Sequence, residues 1–170
     1  MPQANLLALL LIPLVALLLF VPYRWLWGES LLAPIFDSGL RGFLITLALF
    51  FGGIVLHEWL HALGFRLVGK VPANSIQYGF NWKGLAPYAH CHAPMRARAY
   101  RFAVALPGLA LGVLPALVGL VAGVWWLVVW GALMLISAGG DLAVLLVVRH
   151  VPGEALVQDH PTMVGCHVLK

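Results

Sequence analysis

Between residues 42 and 68 the chain is apolar almost without interruption, and the only ionisable side chains there are His57, Glu58, His61 and Arg66. The run exceeds the roughly 20 residues a helix needs to cross a bilayer. Backbone amides in lipid must be paired within their own segment, so such a run is helical wherever lipid surrounds it. Three further apolar runs lie at about residues 5–26, 102–122 and 124–148. With the second helix at about residues 40–68, they predict an all-α integral membrane protein with four transmembrane helices.

Of 170 residues, 62% are hydrophobic and 9% charged, which excludes an ordinary soluble domain. The net charge of +4 does not point to nucleic acid, because the basic residues are confined to short segments between apolar runs. There they act as topology signals. Arg66, Lys70, Lys83, Arg96, Arg98 and Arg101 all fall between the second and third helices, and none lies in the turn between the third and fourth. That segment should face the cytoplasm, and four spans then place both termini there as well. A multi-pass protein of a bacterial plasma (inner) membrane is the expected setting.

The first run ends on the interfacial sequence Tyr23-Arg24-Trp25-Leu26-Trp27. No basic residue precedes it and no small-x-small cleavage site follows, so it reads as an uncleaved helix rather than a secretory signal. A loop over residues 28–39, with Glu29, Asp37 and an interfacial turn at Leu31-Leu32, leads into the second helix. That helix stops at Gly69-Lys70 before Pro72. Residues 74–94 are polar and predict a small β-hairpin turning at Asn81-Trp82-Lys83-Gly84, with Pro87 restricting its strand to an edge. The third helix contains Pro107 and Pro115, the fourth ends at Arg149-His150, and residues 150–170 form a polar tail. One polytopic domain accounts for the whole chain.

Within the second helix, His57-Glu58-Trp59-Leu60-His61 puts two imidazoles four residues apart on one face, where both can reach one metal ion. Glu58 is the adjacent carboxylate that can serve as general base, the arrangement of HExxH zinc peptidases. Ionisable groups inside a membrane span mark function unless a partner explains them. The bland alternative is a helix end that merely reaches water.

A catalytic zinc site usually takes three protein ligands and leaves a fourth position for water. Asp141, the only acid in the fourth helix, is the candidate third ligand. At a rise of about 1.5 Å per residue it lies roughly 12 Å from Arg149, while His57 lies roughly 13 Å from Arg66. Both helices end on the cytoplasmic side, so the three side chains share one depth. The preceding Gly139-Gly140 would let the helix loosen. An interhelical polar contact is the competing role for Asp141. His90 and His92 would share a strand face, so a second metal site there, or closure of the first by His90 or His160, is conceivable. Solvated loop histidines are commoner. Cys91 and Cys166 leave disulfide, ligand and inert core open.

Taken together, His57 to Gly64, Pro87-Tyr88-Ala89-His90-Cys91 with Pro94, Leu106-Pro107-Gly108, Ser137 to Asp141, and Asp159-His160-Pro161 with Gly165-Cys166 resemble the membrane family described as putative zincin peptidases. That family is itself similar in plan to the site-2 protease class of intramembrane metalloproteases. The resemblance implies Zn2+ held by His57, His61 and Asp141, with Glu58 as base. It further implies hydrolysis of membrane-protein or membrane-proximal peptide substrates. In the site-2 class the aspartate sits in a loop or broken helix with asparagine and prolines before it and glycine after it. Here the glycines precede Asp141. A non-catalytic zinc-binding scaffold or sensor is the alternative function.

Overall fold

The computed structural model describes residues 2–28, 30–82, 86–160 and 165–169. Glu29, the Lys83-Gly84 part of the expected hairpin turn and Pro161 lie outside the described residues. Helix α1 (Pro2–Trp27) is followed by the short α2 (Ala33–Asp37) and the long α3 (Gly39–Leu67). Strands β1 (Ile76–Asn81) and β2 (Ala86–Cys91) pair antiparallel, with Ile76 opposite Cys91 and Asn81 opposite Ala86. The described part of the polar interlude is thus a hairpin, and Pro87 stands opposite Phe80 in a two-stranded sheet.

Helix α4 (Ala97–Pro107) begins five residues before the Phe102 expected from hydropathy, because the arginines at 98 and 101 do not stop it. It runs through a π-helical stretch, Gly108–Val113, into α5 (Leu114–Ala122). Pro107 has no N–H, so the regular ladder fails there and widens. Gly123 ends α5 at φ +72°, and the Trp27 ring stands 2.9 Å from where a Cβ would be. The Tyr23 hydroxyl donates to Gly123 O and the Trp27 indole to Leu120 O, each at 2.9 Å, fastening α1 to this turn.

The expected continuous fourth helix is instead two, α6 (Trp125–Ser137) and α7 (Gly139–Val148), bent by 50° at Ala138. The Gly139-Gly140 pair, the poorest helix formers in this stretch, sits at the break. Among the described residues three helices are long and apolar enough to cross a membrane, Leu9–Trp27, Gly39–Leu67 and Ala97–Ala122, and the bent pair makes a fourth only if it is one span.

The expected polar tail also folds. Strands β4 (Leu156–Asp159) and β5 (Cys166–Val168) join the two-residue β3 (Met95–Arg96) in an antiparallel sheet ordered β3-β4-β5. The described residues are therefore mostly helical with two small sheets, not a helical bundle with a hairpin alone. One apolar cluster joins α1 to α5 and α6 through Val15, Leu19, Tyr23, Ala116 and Val128. Another gathers Phe65, Cys91, Met95, Tyr100, Val148 and Val157 from α3, β2, β3, α4, α7 and β4. Burying a residue such as Val157 is worth about 1.5–3 kcal/mol, which explains why the tail strand stays docked.

Candidate metal centre

His57 and His61 lie one turn apart in the C-terminal half of α3, and are 6% and 7% exposed. Their rings stand 4.9 Å apart at 79°. Potential ligand atoms of His57, Glu58 and His61 all fall within 4.8 Å of one another. From α7, Asp141 Oδ2 approaches His57 Nε2 to 2.9 Å, and Oδ1 approaches His61 Nε2 to 3.1 Å. The bend at Ala138 starts a new helix, and Asp141 sits in its first turn. There the unpaired amides and the helix dipole favour a carboxylate.

Helix α4 supplies the next layer. His61 Nδ1 lies 3.0 Å from the carbonyl oxygen of Ala103. In an unbroken helix that oxygen would accept from residue 107, but Pro107 has no N–H to give. The carbonyl can only accept, so His61 carries its proton on Nδ1 and turns the Nε2 lone pair towards Asp141. Gly64, one turn beyond His61, makes the approach possible: a Cβ there would lie 2.7 Å from Ala103 Cα.

These atoms suit a divalent cation. A lone pair on His61 Nε2 facing a carboxylate oxygen at 3.1 Å is repulsive unless a cation lies between them or the ring takes a second proton. His57 Nδ1 and Asp141 Oδ2 are buried without a hydrogen-bond partner, the latter lacking hydrogen-bond alignment despite its 2.9 Å approach to His57. A tetrahedral zinc ion with bonds of about 2.0–2.1 Å holds neighbouring ligand atoms about 3.3 Å apart, close to the separations seen. Two imidazoles and one carboxylate are a zinc-type set with a position to spare.

A family model described as "Putative zincin peptidase" matches residues 50–156, more than half of the chain. The chain belongs to that family. No curated protein and no solved structure matches it. Membership in a zincin peptidase family implies zinc and a metallopeptidase, and the matched region contains the His57-Glu58-His61 cluster and Asp141.

The other residues singled out in the sequence lie apart from this cluster. His90 Nδ1 is 2.9 Å from Asp159 Oδ2, and His92 Nε2 is 2.9 Å from Gln77 Oε1. Among the described residues neither belongs to a group of three that could hold a metal ion. The His160 ring stacks on His167 at 4.3 Å. Cys91 and Cys166 are free thiols, and Cys91 is fully buried in the core. The Ala89 amide faces the Glu58 carboxylate, which brings β2 to the edge of the centre. Arg101, expected as a topology signal, also donates to Val148 O at 3.1 Å and Val151 O at 2.8 Å, capping α7. Ala103 O and the Ala89 amide are backbone groups without a side-chain signature; only Pro107, four residues past Ala103, hints at the first.

Proposed function

We propose that this zincin-peptidase family member is an integral-membrane zinc metalloprotease acting on membrane-embedded or membrane-proximal peptides. The observation that carries the reading is the convergence of His57 Nε2 and His61 Nε2 on the two oxygens of Asp141, with Glu58 beside them. His57, His61 and Asp141 would hold the ion. Zinc bound there supplies Lewis acidity towards a carbonyl and lowers the pKa of water to about 7. Ala103 O orients His61 through its Nδ1 proton. Glu58, aimed by the Ala89 amide, accepts a proton from the attacking water and returns it to the leaving nitrogen.

The bent α6–α7 pair counts as a fourth span in this reading, which puts both termini on the cytoplasmic side of a plasma membrane. A substrate helix is internally hydrogen-bonded, so the segment to be cut must unwind before its carbonyl is accessible. Its extended backbone would run beside the hairpin, since an exposed strand edge accepts a further strand.

The test is Glu58→Gln in purified protein. Zinc content should equal wild type while cleavage of a fluorescent casein or a membrane-anchored peptide is lost. Full proteolysis by this variant would refute the role of Glu58, and zinc binding without any wild-type cleavage would favour a scaffold.

A further inference from the structure

Asp159, the last residue of β4, uses both carboxylate oxygens on elements that surround the centre. Oδ2 lies 2.9 Å from His90 Nδ1 and accepts from the Cys91 amide at 3.4 Å, while Oδ1 accepts the Tyr100 hydroxyl at 2.8 Å. Tyr100 is 2% exposed and stacks on Phe65, which stacks on His61, with ring centroids 6.2 and 6.3 Å apart.

The register of the hairpin gives these contacts a direction. His92 N donates to Ser75 O at 2.8 Å, and Ile76 stands opposite Cys91. Hydrogen-bonded and non-hydrogen-bonded pairs alternate along an antiparallel ladder. The amides of Ala89 and Cys91 therefore both point away from β1, along the same free edge of β2. The first faces Glu58 and the second donates to Asp159 Oδ2 at 3.4 Å. A two-stranded hairpin is only marginally stable by itself. With Asp159 removed, Glu58 would be the one side chain left facing the outward amides of that edge, while the buried Cys91 side chain and the Gln158 amide on His92 O still hold the end of the strand.

We propose that Asp159 is a positioning residue for Glu58: the tail strand, through Asp159, fixes β2 against α4 and so sets where the Ala89 amide holds the general base. Any catalytic consequence rests on the metalloprotease reading above; the mechanical linkage from Asp159 to Ala89 does not. Asp159 touches none of His57, His61 or Asp141, so metal loading should be insensitive to it.

Full-length protein in detergent micelles, loaded with zinc, is compared as wild type, Asp159→Asn and Asp159→Glu. Four quantities are read: hydrogen exchange across residues 86–92, zinc content, and kcat and KM on fluorescent casein. Asp159→Asn should speed exchange in β2 and lower kcat, each by about tenfold or more, since displacements near 1 Å are that costly to catalysis. KM should stay within about twofold and zinc content should not change. Asp159→Glu should recover much of both. Wild-type exchange in β2 of the Asn variant overturns the proposal, as does a fall in kcat that merely tracks lost zinc. If casein survives even the wild type while β2 exchange still follows residue 159, the protease reading falls and the linkage stands. Tyr100→Phe, which removes the Oδ1 contact together with a longer one to Gly165 O at 3.4 Å, should move β2 exchange the same way by less, and serves if the Asn variant does not fold.

Discussion

His61 and Pro107 are joined through one carbonyl oxygen: Ala103 O, four residues before Pro107, accepts the His61 Nδ1 proton at 3.0 Å because the proline has none to offer. A residue without an amide proton thereby decides which nitrogen of a buried imidazole faces Asp141.

Pro107→Ala restores a competing donor for that oxygen. Zinc affinity, measured by competition with a chromophoric chelator, should fall by roughly 10–100-fold, the usual cost of disturbing a group that orients a ligating histidine. Helix content by circular dichroism should not decrease.

Gly64→Val tests the close approach of α3 and α4. Its Cβ would meet Ala103 Cα at 2.7 Å and Ala103 Cβ at 2.8 Å, neither of which can swing aside. Overpacking of this kind costs about 1–3 kcal/mol, read as a lower thermal midpoint in detergent. Zinc affinity should fall with it, because a displaced Ala103 carbonyl no longer reaches His61.

Asp141→Ala leaves two imidazoles without the carboxylate that faces both of them. Zinc affinity should fall beyond the roughly 10–100-fold of an orienting residue. Affinity equal to wild type would remove Asp141 from the ligand set.

The two thiols offer a pH-dependent check. Burial is the largest influence on both and holds Cys91 and Cys166 above the ordinary thiol range. A folded-state pKa above the unfolded one means that the unfolded chain gives up its proton first as pH rises. Stability from these groups is therefore complete below the unfolded thiol pKa and declines above it. Maleimide at neutral pH should label Cys166 first and leave Cys91 unmodified until denaturant is added, as mass spectrometry of the intact protein would show.

The three long helices are legible in the sequence because length and hydropathy dictate them in lipid, and the hairpin because turn residues interrupt a polar interlude. The nearness of Asp141 to the histidines is legible too, since a fixed rise per residue and a shared charged boundary suffice to reckon depth. The bend at Ala138 is foreshadowed by Gly139-Gly140, but no local pattern states its 50°. Strands β4 and β5 are harder to see: four and three residues long, they pair with each other, and β4 also pairs with the two-residue β3 some sixty positions earlier. The same non-local pairing hides Asp159, whose contacts depend on the tail returning to β2 and α4.

Asp141 reaches His57 and His61 from α7, the last helix among the described residues, and Arg101 secures the far end of that helix. Synthesis proceeds from the N-terminus, so a nascent chain stalled before α7 carries both imidazoles with no carboxylate opposite them. In the metalloprotease reading, the centre therefore stays incomplete until α7 has been made and has packed beside α3.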